Sequence, residues 1–384
     1  MSSPLADRLR EIEPFLAMEV MERAFAMERE GRSVIHLEIG EPGYPAPPAA
    51  VEACREALTR GETRYTDSRG LAELREAIAA DKSRRSGVEI DPERVIVTSG
   101  TSPAMLLVFS LLVEAGGEVI LPTPHYPCYP NFIRYCGGSP VPVVCDPADG
   151  YRISPEAVRR SLTDRTRAIV VASPSNPTGA VQDEATLREL ASFGLPLISD
   201  EIYDGLVYDG ARVTSALEVT DRAFVLDGFS KRYAMTGFRL GYAIAPLDRM
   251  RTLQILQQNL FISANHFVQR AGIAALEHGE ETVRAMRAEY DRNRHLLVEG
   301  LRKLGFGVPR LPRGAFYVLA DARAFGSDSR RLAFDLLERS GVAATPGIDF
   351  GAAGEGFLRF CYAATEQQIA EALERLEPIL REWG

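Results

Sequence analysis

Between residues 94 and 245, short apolar runs alternate with helix-length segments, and this alternation constrains the fold more than any other feature of the chain. The run AIVVA at 168–172 is apolar at successive positions, not at every second one. A strand buried on both faces reads this way. Similar short runs fall at 94–98, 118–121, 139–144, 196–199, 223–226 and 242–245. Helical patterns lie between them, at 104–114 and 184–193. Strands alternating with helices predict an α/β fold, with a mostly parallel sheet sandwiched by helices. The run at 139–144 contains Pro140 and Pro142, and proline in a strand predicts a sheet edge.

From about residue 280 the pattern changes. A long charged amphipathic segment at 280–304 is followed by a strand at 315–319, a helix at 330–340, a strand at 357–362 and a helix at 365–381. This predicts a smaller α+β domain. Pro42, Pro45, Pro47 and Pro48 separate the N-terminal segment from the central region. The expected division is a large domain at 45–280 and a small one built from 1–44 and 281–384. The segment 17–37 is expected to close over a bound substrate.

The chain has 384 residues, with 44 Lys and Arg against 53 Asp and Glu, a net charge of −9. That balance argues against a nucleic-acid binder. The five cysteines are odd in number and form no CxxC pair, so neither a disulfide framework nor a zinc site is expected and a reducing cytoplasm fits. The five histidines show no HxxxH spacing, so no metal is predicted. The N-terminus, MSSPLADRLREIEPF, lacks an apolar signal core. The apolar stretch at 104–113 is too short to span a bilayer.

Four strand exits and one later strand carry polar groups that such places rarely hold without a use. FSKRYAMTGFRLG (229–241) contains Lys231 behind Ser230, with Arg239 between Gly237 and Gly241. A lysine amine in a partly dry pocket loses its proton and condenses with an aldehyde, and an arginine grips phosphate. Pyridoxal 5′-phosphate offers both groups. TSGTSPAM (98–105) opens a helix, where free amides at Gly100, Thr101 and Ser102 suit a phosphate; Ser102 is also placed to cap that helix. SPSNPTG (173–179) reads equally as a turn or as a ligand loop at a strand end. Asp200 in ISDEIY (198–203) needs a partner, either a protonated pyridine nitrogen or a structural one, a salt bridge or the N-terminus of a following helix. Arg359 in FLRFCYA (357–363) fits a substrate carboxylate or, equally, an internal ion pair.

Taken together and in this order, SPSNPTG, ISDEIY and the lysine segment resemble the class I/II pyridoxal-phosphate-dependent aminotransferases of fold type I. The resemblance runs from LEIGEPGYPAP (37–47) through RYTDSRGLAELREAIA (64–79) to Arg359. It implies a seven-stranded sheet and a homodimer with shared sites. It implies that Lys231 bonds to the cofactor aldehyde and then moves a substrate proton. Asp200 would pair with the ring nitrogen, Asn176 and Tyr203 with the ring hydroxyl, and Tyr126 would stack on the ring. Gly100, Thr101, Ser102 and Arg239 would hold the phosphate, with Tyr65 reaching the phosphate of the neighbouring subunit. Arg359 would bind the substrate carboxylate, with Asn176 and Gly40 close by. Many members carry a serine three residues before the lysine, where this chain has Gly228; either Ser230 compensates or the phosphate is held more weakly.

The expected reaction is ping-pong transfer of an amino group from an L-amino acid to a 2-oxo acid. A carbon–sulfur β-lyase shares the scaffold and the first proton abstraction, although AMTGFRLG leans toward a transferase. A transcriptional sensor usually carries a fused DNA-binding domain, for which no length precedes the GEP motif. Lys231, Asp200 and Arg359 are all present, against a dead scaffold. Phe15, Tyr44, Asn265 and the segment 257–267 are candidates for the side-chain pocket. No arginine lies between Arg251 and Arg270 to meet a second carboxylate. A neutral or aromatic donor is therefore expected, with 2-oxoglutarate as acceptor.

Overall fold

The computed structural model describes residues 6–383. Its strands, in chain order, are β1 (Ile35–His36), β2 (Val95–Thr98), β3 (Glu118–Thr123), β4 (Ser139–Val144), β5 (Thr166–Ala172), β6 (Leu197–Asp200), β7 (Ala223–Gly228), β8 (Gly241–Ile244), β9 (Tyr317–Asp321), β10 (Val342–Ala343), β11 (Thr345–Pro346) and β12 (Phe357–Cys361).

A seven-stranded sheet has the order β2-β8-β7-β6-β5-β3-β4. Only β8 runs against the rest, pairing antiparallel with both β2 and β7. The sheet is therefore mostly parallel, as the apolar runs predict. Its strands are buried on both faces because helices cover both: Ile120, Val171 and Val225 face one apolar core, and Leu121, Val170 and Leu226 face another. β4, with Pro140 and Pro142, is the outer strand, where a missing N–H costs no ladder bond.

A three-stranded antiparallel sheet, β11-β12-β9, lies in the C-terminal part. Helices Glu280–Lys303 and Glu366–Trp383 pack against each other beside it. The N-terminal segment joins this region, since β1 pairs parallel with β10. Tyr203, Leu206 and Tyr208 enter the same apolar core from the central part of the chain.

Most element boundaries shift by one to three residues from the expected ranges, and two of the shifts have a clear local cause. The strand expected at 315–319 begins at Tyr317, because Ala315 has a left-handed φ of 58° and bonds to Leu206 instead of entering the ladder. The helix after β2 starts at Thr101, with Gly100 as its N-cap at φ 93°. Ser102 is thus inside the first turn and not the cap. Among the described residues, no helix is long and apolar enough to cross a membrane.

Candidate active site

In a parallel sheet, ligands gather at the carboxyl ends of the strands, where loops diverge. Here the ends of β2, β3, β5, β6 and β7 deliver Thr101, Tyr126, Asn176, Asp200 and Lys231 to one cavity of about 300 Å³. β12 supplies Arg359 from the opposite side, and the N-terminal segment supplies Gly40.

Lys231 is half-buried in the cavity wall and donates to the Gly40 carbonyl oxygen. Burial pushes its amine down to about 8, and the Arg359 and Arg239 cations push the same way. Asp200 is buried at the end of β6 and accepts from the Tyr129 hydroxyl at 2.6 Å and the Ile202 amide at 3.1 Å. Burial raises its carboxyl to about 6 even though both hydrogen bonds favour the charged form. A cationic ring nitrogen beside it would restore the carboxylate.

Arg359 is buried on β12, stacked on Tyr317 with 4.4 Å from guanidinium carbon to ring centroid. It donates to Asn176 Oδ1 and Thr345 Oγ1, each at 3.0 Å, and to the Glu38 carbonyl oxygen. Its Nε–H is buried without a partner. Tyr203 bonds the Tyr317 hydroxyl at 2.8 Å. A Cβ at position 40 would collide with that same hydroxyl, which accounts for Gly40.

The opposite end of the cavity has the features of an anion cradle. Thr101, Ser102, Ser230 and Arg239 line it. The helix Thr101–Leu112 presents its N-terminal amides there, with no side-chain cap. Cβ atoms at Gly100 or Gly241 would run into the Arg239 guanidinium or the Gly100–Thr101 backbone. These residues fit a phosphate, and the whole donor set fits pyridoxal phosphate.

Gly228 also has a physical reason. A Cβ there would lie 2.9 Å from the Gly241 Cα, at the start of the paired strand, and 3.0 Å from the carbonyl oxygen of Leu240 just before it, both backbone atoms. Gly228→Ser is expected to lower stability by about 1–3 kcal/mol through overpacking. Urea unfolding tests this; an unchanged midpoint would remove the steric account.

Tyr65 is 80% exposed and stands away from the cavity of its own chain. Phe15 lines the cavity, whereas Tyr44, Asn265 and the rest of 257–267 do not. Tyr129 and Tyr317 carry no motif that marks them in the sequence; only the spacing of Tyr129, one helical turn beyond Tyr126, hints at its place. Among the described residues, one group of candidate metal ligands occurs, Asp209, Asp291 and His295. Arg294 already bonds both of its carboxylates.

A seven-stranded, mostly parallel sheet with a half-buried lysine, a buried aspartate and a phosphate cradle at its strand ends defines the fold type I pyridoxal-phosphate enzymes. The family of class I and II aminotransferases matches residues 32–376. The chain is 40% identical over 381 residues to the (5-formylfuran-3-yl)methyl phosphate transaminase of Methanocaldococcus jannaschii, covering 98% of this chain and 99% of that one. It is 38% identical over 383 residues to the aspartate/prephenate aminotransferase of Thermus thermophilus, covering 98% of each. A structure of the Thermus thermophilus aspartate aminotransferase with maleate matches with a TM-score of 0.93 at 38% identity, over 98% of this chain and 100% of that one. The chain belongs to the class I and II aminotransferases, and pyridoxal phosphate is its cofactor. The relatives' transferase names favour this activity over that of a β-lyase.

Proposed function

We propose that this enzyme moves an amino group between an L-amino acid and a 2-oxo acid in two half-reactions at the one cavity, with its residues in the following roles. Pyridoxal phosphate, when bound, supplies an aldehyde for the amino group and a ring that accepts the electrons left at the substrate Cα. Thr101, Ser102, Ser230 and Arg239 hold the phosphate beside Gly100. Asp200 keeps a proton at the ring nitrogen, and Tyr129 holds the carboxylate in place. Tyr126 covers the ring face. Asn176 and Tyr203 hydrogen-bond the ring hydroxyl. Arg359 and Asn176 bind the substrate carboxylate beside Gly40. Lys231, freed when the substrate arrives, would take the proton from Cα and deliver it to the cofactor carbon that bore the aldehyde. The observation that carries this reading is the meeting of Lys231, Asp200 and Arg359 in one cavity.

The active unit is proposed to be a homodimer. Tyr65 is exposed, with Leu260 and Ile262 also uncovered, and the Thr66 amide next to Tyr65 bonds Ser263 Oγ, next to Ile262, at 3.4 Å. A second copy would cover this apolar face and receive Tyr65 in its phosphate cradle. A cytoplasmic location is proposed as well, because all five cysteines are free.

Absorption spectroscopy tests the reaction. A mixed amino-acid pool should convert the bound cofactor to its aminated form, and 2-oxo acids should reverse the change. Persistent starting spectrum with accumulating pyruvate and ammonia would instead mean elimination.

A further inference from the structure

The N-terminal helix Leu16–Arg29 has two apolar faces, and only one is used for packing. Val20, Ala24 and Met27 are buried against Leu337 and Ala343. Met18 and Met21, three residues apart and so on one face, line the active-site cavity with Phe15 just before the helix. Met18 remains 44% exposed. An exposed helical position ordinarily carries a polar residue, so a methionine there marks an apolar surface kept for a ligand.

The wall is anchored. The Asp349 carboxylate accepts from the Leu16 and Ala17 amides at 2.9 and 3.1 Å, pinning the start of the helix. Phe15 stands edge-on to Tyr126, with ring centroids 6.0 Å apart, so the apolar surface continues to the residue proposed to cover the cofactor. Ile39 and Met105 extend it on the other sides.

Among the described residues lining the cavity, the cations are Lys231, Arg239 and Arg359. Each already has a proposed task, at the cofactor aldehyde, its phosphate and the substrate α-carboxylate. None is left for a second carboxylate. Burying an unpaired carboxylate against methionine and phenylalanine is strongly unfavourable. Methionine is flexible and polarisable, so the same wall adapts to apolar side chains of different shape.

We infer that Phe15, Met18 and Met21 form the specificity wall, and that the enzyme takes monocarboxylic amino acids with bulky apolar or aromatic side chains and rejects dicarboxylic ones. This rests on the proposed roles of Lys231, Arg239 and Arg359. Both half-reactions use the same cavity, so the returning oxo acid meets the same wall. The expected 2-oxoglutarate, with its second carboxylate, fits it poorly.

Single-turnover conversion of the holoenzyme by leucine, methionine, phenylalanine, aspartate and glutamate tests the inference. The best apolar donor should exceed aspartate and glutamate in efficiency by at least about 100-fold. Met18→Lys, at an exposed position that tolerates charge, should narrow that ratio at least about tenfold, while the neutral Met18→Gln should not. Aspartate or glutamate reacting within about tenfold of the best apolar acid would overturn the inference. So would an unchanged ratio in a folded Met18→Lys enzyme. Failure of all five acids to convert the cofactor would instead overturn the aminotransferase roles on which the inference stands.

Discussion

Lys231→Ala is expected to lower turnover by at least about 10⁴-fold while leaving the fold intact. On the roles proposed for Lys231, the variant lacks both the amine that bonds the cofactor and the base that moves the Cα proton. Borohydride should fix the cofactor onto the wild-type chain and not onto the variant. Retention of more than about 1% of wild-type turnover would remove Lys231 from the proton transfer. The fold should survive because the side chain makes one hydrogen bond, to the Gly40 carbonyl oxygen, and holds its charge in a desolvated place. The folded amine titrates at about 8, below the value of about 10.4 for a free lysine. Protonated Lys231 therefore opposes folding below pH 8, and the opposition fades as pH rises toward the unfolded value. The alanine variant should be as stable as wild type at pH 7, or more so.

The same shift predicts how the apoenzyme takes up its cofactor. About half of the Lys231 amine is neutral at pH 8, against roughly 0.4% for an unperturbed lysine. The rate of condensation with added pyridoxal phosphate should rise with pH and reach half its maximum near 8. A midpoint near 10 would show that the amine is not desolvated.

Much of this site is legible in the sequence because its chemistry needs uncommon residues at strand ends. Lys231, Asp200 and Asn176 each follow a short apolar run that the sheet buries, and the register of the sheet brings their ends to one edge. Arg359 stands out because an arginine inside an apolar strand must have a use. Other features depend on distant contacts that no local pattern records. Ser102 has a capping residue's identity, yet Gly100 caps the helix, leaving the serine for the cavity. Met18 and Met21 share the helical periodicity of packing residues, and only the course of the chain near Met105 and Tyr126 shows that they face a cavity. Tyr317 becomes meaningful once β9 and β12 pair and place its ring under Arg359. The role proposed for Tyr65 would lie between two copies, so one chain by itself does not display it.

Lys82→Met is expected to cost about 3–5 kcal/mol of stability, the largest loss foreseen for one side chain. Lys82 is fully buried on the helix Ala72–Ser86 and meets Glu201 at 2.5 Å, Asp204 at 3.1 Å and Asp227 at 3.4 Å. The three carboxylates raise its amine against the effect of burial, so it stays charged. Asp227 keeps the Tyr242 hydroxyl at 3.0 Å, and Asp204 keeps Arg85. Glu201 fares worse: its Oε1 accepts from Ser199, Ser215 and Ala216, but Oε2 has Lys82 alone. Removing Lys82 leaves that charge buried and half-satisfied. Adding Glu201→Gln should recover part of the loss, because the remaining group is then neutral. The cluster also sets an acid limit. Burial opposes the charge on Asp204, but Arg85 and Lys82 outweigh it and hold the carboxyl at about 2. Its contribution to stability is complete above the unfolded value of about 3.9 and lost as pH falls through the folded one. Denaturant unfolding at one protein concentration, near pH 7 and near pH 3, measures both effects. Acid weakens the ion pairs that wild type has and the Lys82→Met variant lacks, so the gap between the two proteins should narrow at low pH. A variant within about 1 kcal/mol of wild type at pH 7 would show that the carboxylates find other partners. Glu201 directly follows Asp200, and Asp227 lies four residues before Lys231. The buried charges therefore brace the two strand ends that carry the chemistry.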